Sequence, residues 1–181
     1  MAHPPGSREN PLPRRAARVV LLDGQDRVLL FRGTDPGRPG SRYWFTAGGG
    51  LDDGESLIEG AIRELWEETG LRITEDELGP PLWQETTDFP FNGRWFRQDQ
   101  DFFVVRVRSW EVSVDGFGED ERMSIDAHRW WSAAEIETTA EKIYPPDLAA
   151  RLRQLPPGGG PSGGGQLPAG GGQLPQQAGG R

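Results

Sequence analysis

The feature that most limits how this chain can fold is one segment of its first half, residues 48–71, GGGLDDGESLIEGAIRELWEETGL. It opens with three consecutive glycines, which end a short predicted strand at residues 43–46 and lead directly into the rest of the segment. The spacing then predicts a helix over Ser56–Thr69, because Ser56 and Glu59 can form a capping box and Gly70 is a typical helix end. Its apolar residues recur at helical spacing, so one face of this helix must pack on another element.

Three carboxylates of this helix lie on one narrow face. Placed 100° apart per residue, Glu64, Glu67 and Glu68 fall within an arc of about 100°. Like charges at this spacing repel by roughly 0.2–0.5 kcal/mol per pair, and a hard divalent cation with oxygen ligands would remove the repulsion. Arg63 is placed to pair with Glu55 or with one of the helix glutamates. For Glu67 and Glu68 taken alone, a solvated acidic face is the simpler interpretation.

Composition narrows the possible partners. The formal charge of −8 argues against binding nucleic acid by neutralising its phosphates, although divalent cations could lie between an acidic protein and a phosphate. The absence of cysteine excludes disulfides, thiolate metal ligands and cysteine nucleophiles. No apolar run has the length of a membrane span or a secretory signal. We therefore predict a cytoplasmic protein without nucleic-acid or membrane partners, and leave its oligomeric state open between monomer and homodimer.

Glycine and proline are concentrated at the two ends of the chain. We predict a flexible leader over residues 1–13 and a folded domain over 14–155. Residues 156–181 are predicted to be a disordered tail, because dense glycine with few large apolar side chains cannot offset the entropy lost on ordering.

Within the domain, apolar runs and turn residues predict strands on both sides of the main helix. The predicted strands are 18–22, 27–31, 43–46, 82–87, 96–107 and 128–131, with a turn at 23–26, a loop at 89–93 and further helices at 132–136 and 146–155. This order predicts an α/β sandwich with a mixed sheet rather than a regular βαβ repeat.

Residues 49–71 match the pattern GX5EX7REUXEEXGU, where U is a bulky aliphatic residue, at every specified position. The chain therefore resembles the Nudix family. The resemblance implies an α/β/α sandwich over about residues 14–150 and hydrolysis of a pyrophosphate bond in a nucleoside diphosphate joined to a further group. It also implies Mg²⁺ as the cofactor, with Mn²⁺ able to replace it.

The resemblance assigns roles to residues of the motif, which we call the box. It implies metal ligation by Glu64, Glu67 and Glu68 and by the carbonyl of Gly48, and an orienting role for Arg63 and Glu55. Family members differ in the glutamate that acts as general base, which is either in the box or on a later loop. Glu119 and Glu121, in a predicted acidic loop, are the loop candidates.

Candidates for binding the rest of the substrate lie outside the box. Arg32 and Arg42 could contact phosphate, and Phe91 could stack on a base; exposed ion pairs and strand packing are the alternatives. Thr87 and Asp88 stand where ADP-ribose pyrophosphatases and diadenosine polyphosphate hydrolases carry a proline and a tyrosine. The substrate therefore stays open among nucleoside triphosphates, oxidised nucleotides, nucleotide sugars and dinucleotides.

Three other functions are compatible with the same fold. A nucleotide-sensing regulatory domain would usually have a degraded box, and this box is intact. Isopentenyl diphosphate isomerase needs a catalytic cysteine, which the chain lacks. An mRNA-decapping enzyme is disfavoured by the acidic charge and by the lack of a basic RNA-binding segment.

Overall fold

The structure is a computed structural model that describes residues 3–38 and 40–156, so the predicted tail beyond Pro156 lies outside the described residues. The strands are β1 (Leu12–Leu22), β2 (Val28–Thr34), β3 (Arg42–Gly50), β4 (Trp83–Phe91), β5 (Arg94–Arg106), β6 (Ile125–Trp131) and β7 (Ile143–Tyr144). The helices are α1 (Leu57–Thr69), α2 (Glu75–Leu78), α3 (Glu119–Ser124), α4 (Ala133–Thr138) and α5 (Leu148–Gln154). Every predicted strand and helix is present, whereas α2, α3 and β7 were not predicted.

The strands form one mixed sheet in the order β4-β5-β1-β2-β3-β7, with β6 paired to β2. β1 runs parallel to β5 over its whole length. On its other side it is antiparallel to β2 at Leu22 and to the end of β3 at Ala16–Val19. The glycines that end β3 therefore lie directly against the first half of β1, with Gly48 opposite Arg18.

Helices cover both faces of the sheet. Successive side chains of β1 alternate between two buried clusters, because neighbouring residues of a strand point to opposite faces. The cluster that contains Val19 includes Leu65 of α1, and the cluster that contains Val20 includes Leu148 of α5. This layering confirms the predicted α/β/α sandwich.

Helix α1 has the predicted ends. Ser56 accepts a hydrogen bond from the backbone of Glu59, and the Glu59 carboxylate accepts one from the backbone of Ser56. Gly70 ends the helix in the left-handed region, with φ of 74°. These caps fix where α1 starts, and so which of its residues face the sheet.

The predicted loop at 89–93 is wrong for most of its length. β4 continues to Phe91, and the reversal takes only Asn92 and Gly93, whose φ angles are 47° and 76°. Two successive positive φ angles make the tight turn that suits a twisted hairpin. Pro90 is compatible with the strand because β4 lies at the edge of the sheet, where its missing N–H is not needed by a neighbour.

Residues 3–11 of the predicted leader lie beside the β4–β5 hairpin. The backbone N–H of Trp95 donates to the carbonyl of Gly6 at 2.8 Å, and the Arg8 guanidinium lies 5.3 Å from the centre of the Trp95 ring. In residues 3–38 and 40–156, no helix combines the length and apolarity needed to cross a membrane. The cytoplasmic location stays a prediction.

Candidate active site

The three glycines at the end of β3 leave room for three different groups. A Cβ atom at Gly48, where φ is 113°, would lie 2.2 Å from the backbone oxygen of Ala17. A Cβ atom at Gly49 would lie 2.5 Å from Oε1 of Glu64, and one at Gly50 would lie 2.9 Å from the Arg14 guanidinium. The run of glycines thus lets β1, α1 and an arginine converge on one short stretch of backbone.

Arg63 joins the loop before α1 to the acidic face of the helix. Its Nε and Nη2 donate to the two oxygens of Glu55 at 2.8 and 2.9 Å. Its Nη1 donates to Glu64 and to Glu67, both at 3.0 Å, and Nη2 also donates to the carbonyl of Gly50 at 3.1 Å. One guanidinium therefore holds three carboxylates, and the orienting role of Arg63 and Glu55 stays a prediction.

Glu64 and Glu68 lie on the side of α1 that faces the glycines, and both are buried, with exposed fractions of 8% and 3%. Burial raises the pKa of the Glu64 carboxyl, and the neighbouring Arg63 guanidinium opposes that rise. Burial also raises the pKa of Glu68, well above its ordinary value, and the nearby charge of Glu64 adds to the effect. The Glu68 carboxylate accepts a hydrogen bond from the backbone N–H of Gly48 at 2.7 Å. The fold thus keeps two acidic groups buried and close together, which lowers its stability when they are ionised.

The described residues contain no group of three or more acidic or histidine side chains placed to hold one metal ion together. The geometry explains this, because Glu67 is bonded to Arg63 and Glu68 is turned to the N–H of Gly48. The donor set still fits a hard divalent cation, since all its atoms are oxygens and the missing side chain of Gly49 lets the Glu64 carboxylate lie directly against the end of β3. Metal ligation by these glutamates and by the Gly48 carbonyl stays a prediction.

Two arginines of β1 that the sequence did not single out lie at this site. Arg18 donates from Nη1 to the carbonyl of Gly48 and from Nε to Gln100 of β5, the second bond being 3.3 Å long. The Arg14 guanidinium forms no hydrogen bond or ion pair within the part of the chain that the structure describes, although its charge is attracted by Glu64. Burial lowers the pKa of both guanidinium groups. Their spacing of four residues places both side chains on the same face of β1, but only Arg18 belonged to the predicted strand.

The predicted substrate-binding residues have local partners. Arg32 donates to Asp126 at 2.7 Å, and Arg42 lies 3.5 Å from the other oxygen of the same carboxylate. Phe91 ends β4 at the hairpin tip, where the backbone N–H of Asn92 donates to Asp35 at 2.8 Å. The two arginines thus share the single carboxylate of Asp126. Their role in binding substrate stays a prediction, as does that of Phe91.

The predicted acidic loop at 118–122 instead forms the short helix α3. The segment before it packs on the end of α1, since a Cβ atom at Gly116 would lie 2.5 Å from the backbone oxygen of Glu67. The charge of Glu121 contributes to the raised pKa of Glu68, so α3 brings this glutamate near the box. Its possible role as general base, like that of Glu119, stays a prediction.

The geometry agrees with comparisons to known proteins. The family model of the NUDIX domain matches residues 12–152. An RNA pyrophosphohydrolase of Caulobacter vibrioides is 34% identical over 145 residues, which cover 76% of this chain and 80% of the relative. The RNA pyrophosphohydrolase of Roseobacter denitrificans is 30% identical over 135 residues, covering 70% and 79%. The crystal structure of a MutT protein from Methanosarcina mazei shares the fold, with a TM-score of 0.59, 21% identity and coverage of 79% and 94%.

The match to the NUDIX domain and the relatives named RNA pyrophosphohydrolase indicate that the chain is a pyrophosphohydrolase. The chain belongs to the Nudix family. Enzymes of this family generally use divalent metal ions, which agrees with the all-oxygen donor set described above.

Proposed function

We propose that this chain is a Mg²⁺-dependent hydrolase that cleaves the pyrophosphate bond of a nucleoside diphosphate joined to a further group. The observation that carries the proposal is the arrangement on α1. Arg63 holds Glu55, Glu64 and Glu67 in place, while Glu64 and Glu68 are buried beside the glycines of β3. A fold keeps such a costly cluster of carboxylates where function requires it.

The reaction consists of attack by water on one phosphorus, with cleavage of the bond to the bridging oxygen and release of the water's proton. Glu64, Glu67 and Glu68, with the carbonyl of Gly48, would hold the cation. When bound, the cation offsets the repulsion between phosphate and carboxylates and polarises the phosphoryl group. The proton passes to a carboxylate, for which the glutamates of the box and Glu121 are the candidates.

Arg14 and Arg18 give the same site positive charge for the substrate's phosphates, although the chain as a whole is acidic. Arg14 is the better placed of the two, because no described residue forms a hydrogen bond or ion pair with its guanidinium. An arginine can donate two parallel hydrogen bonds to a phosphate. We therefore assign to Arg14 the binding of a phosphate oxygen of the substrate.

Replacing Arg14 by alanine should raise KM roughly tenfold or more, since a hydrogen bond to a charged group contributes about 1.5–3 kcal/mol. The turnover number should change much less, because the carboxylates of α1 are untouched. Arg15→Ala is the matched control, as Arg15 is exposed and the next residue of a strand points to the opposite face. Steady-state kinetics of both variants test the assignment, and equal KM values would contradict it.

The overall proposal is tested with a substrate panel at mildly alkaline pH, with Mg²⁺, with Mn²⁺ or with a chelator. The panel contains nucleoside triphosphates, 8-oxo-dGTP, ADP-ribose, NADH, nucleotide sugars and diadenosine polyphosphates. Metal-dependent release of a nucleoside monophosphate from any member is the expected result. If the folded protein bound nucleotides but hydrolysed none of them, the nucleotide-sensing alternative would replace this proposal.

A 5′-triphosphate end of RNA is a second candidate substrate. It is favoured by the relatives of 34% and 30% identity that bear the name RNA pyrophosphohydrolase. The net charge of −8 opposes it, because it disfavours binding along an RNA backbone. Adding a short 5′-triphosphorylated RNA to the panel distinguishes the two. Release of pyrophosphate from RNA at a higher kcat/KM than from any free nucleotide would overturn the prediction that nucleic acid is not a partner.

A further inference from the structure

Gln98 of β5 carries a buried hydrogen-bond acceptor without a partner. Its side chain is 1% exposed, and its carbonyl oxygen Oε1 accepts no hydrogen bond from any residue that the structure describes. Leaving a buried acceptor unsatisfied costs about 1–3 kcal/mol. Groups of this kind are rare in folded proteins, and a bound water, ion or ligand is one of the ways in which they are satisfied.

The orientation of this amide is determined by charged groups at the two ends of a hydrogen-bond chain. The Arg18 guanidinium, which can only donate, donates a hydrogen bond to Oε1 of Gln100 at 3.3 Å. The Glu85 carboxylate, which only accepts when ionised, accepts a hydrogen bond from Nε2 of Gln100 at 2.6 Å. Gln100 can therefore be oriented in one way only. Its Oε1 also accepts from Nε2 of Gln98 at 2.7 Å. Turning the Gln98 amide over would bring two carbonyl oxygens together, so Oε1 of Gln98 is the end left free.

The same chain of contacts connects Gln98 to the box. Arg18 joins Gln100 to the carbonyl of Gly48. Gln98 is also the register partner of Arg14 on the adjacent strand, and neighbouring strands lie only about 4.8 Å apart. A ligand whose diphosphate lies at Gly48 and Arg14 would thus have its nucleoside beside β5. A carbonyl at that place can recognise a group that donates from nitrogen.

We propose that the side-chain carbonyl of Gln98 accepts a hydrogen bond from an N–H group of the substrate's nucleobase, and so makes Gln98 a specificity-determining residue. The proposal rests on the function proposed above and names the part of the substrate that this function leaves open. In this proposal Gln98 distinguishes substrates by their nucleobase, while the box and Arg14 hold the diphosphate.

The test compares pairs of ligands in which one member lacks a single donor of the other. Binding to the full-length protein is measured by calorimetry for three pairs of nucleoside monophosphates: AMP and purine riboside monophosphate, GMP and IMP, and UMP and N3-methyl-UMP. In the native protein the donor-bearing member of at least one pair should bind roughly tenfold more tightly. Gln98→Met keeps the length of the side chain without its acceptor and should bring that ratio close to one. Gln154→Met, at an exposed position of α5, should leave the ratio unchanged.

Because each ratio compares two ligands on the same protein, a change in folded fraction cancels. The proposal is overturned if the native protein shows no preference in any pair, if Gln98→Met keeps the preference, or if it weakens all six ligands equally. The assay needs no turnover, so the two proposals fail separately. Hydrolysis in the substrate panel without a preference in any pair removes the role of Gln98 alone, whereas a Gln98-dependent preference without hydrolysis removes the proposed reaction alone.

Discussion

Replacing Glu68 by glutamine should slow turnover on the order of 10³-fold, because losing a charged ligand of the cation would remove about 4 kcal/mol of transition-state stabilisation. The amide keeps the size of the side chain and can still accept the hydrogen bond from the N–H of Gly48. Glu59→Gln is the control on the same helix, since Glu59 is exposed and glutamine also suits its position in the capping box. Near-native turnover of Glu68→Gln would remove Glu68 from the metal ligands.

The same substitution should stabilise the metal-free protein. The pKa of Glu68 is raised by burial, so the folded state disfavours the charged form. A raised pKa in the folded state contributes stability that is fully present below the unfolded pKa and is lost as the pH rises through the folded value. Thermal unfolding in the presence of a chelator should therefore give Glu68→Gln a higher Tm than the native protein at neutral pH. This difference in Tm should become smaller in acid. A difference in Tm that stays constant over this pH range would contradict the raised pKa of Glu68 as its cause.

How much of this site could be predicted depended on how local its signals are. Helix α1 and its caps follow from residues within a few positions of one another, as with Ser56 and Glu59, and they were predicted correctly. The pairing of Arg63 with Glu55 was also within reach, because both belong to one loop-to-helix segment. The box could therefore be assembled from the sequence without knowing the sheet.

The rest of the site depends on which strands are neighbours. Arg18 meets Gln100 because β1 lies next to β5, and 82 positions separate the two residues. Arg32 was predicted to bind substrate, and its partner Asp126 is 94 positions away. The order of strands in a sheet leaves no local pattern in the sequence, so these contacts could not be predicted from it. In β5 the run 97–101, which contains Gln98 and Gln100, is polar at every position, and this was a sign that part of the strand faces a polar site.

Replacing Arg63 by alanine should lower both stability and activity, because it leaves three carboxylates without their common partner. Removing one member of a largely buried ion pair costs about 3–5 kcal/mol, and the side chains of Arg63 and Glu55 are only 26% and 12% exposed. For a chain of this size that loss corresponds to a fall in Tm of roughly 10 °C. Turnover should fall as well, since Glu64 and Glu67 lose the contact that orients them. Arg72→Ala is the control, because Arg72 is exposed and only stacks on Trp66.

A double-mutant cycle separates the loss of packing from the loss of the ion pair. In Arg63→Ala the Glu55 carboxylate stays largely buried and loses its charged partner, keeping only the hydrogen bond from the backbone N–H of Asp52. Adding Glu55→Ala should therefore restore part of the stability, with a coupling energy of about 1–3 kcal/mol. Activity should not return, because Glu64 and Glu67 still lack their shared donor. Arg63→Lys should behave as an intermediate, since one ammonium group cannot reproduce the paired bonds to Glu55 together with those to the helix glutamates. Additive stability losses in the cycle would show that Arg63 acts through packing alone, and would leave the orientation of the box glutamates to the backbone of α1.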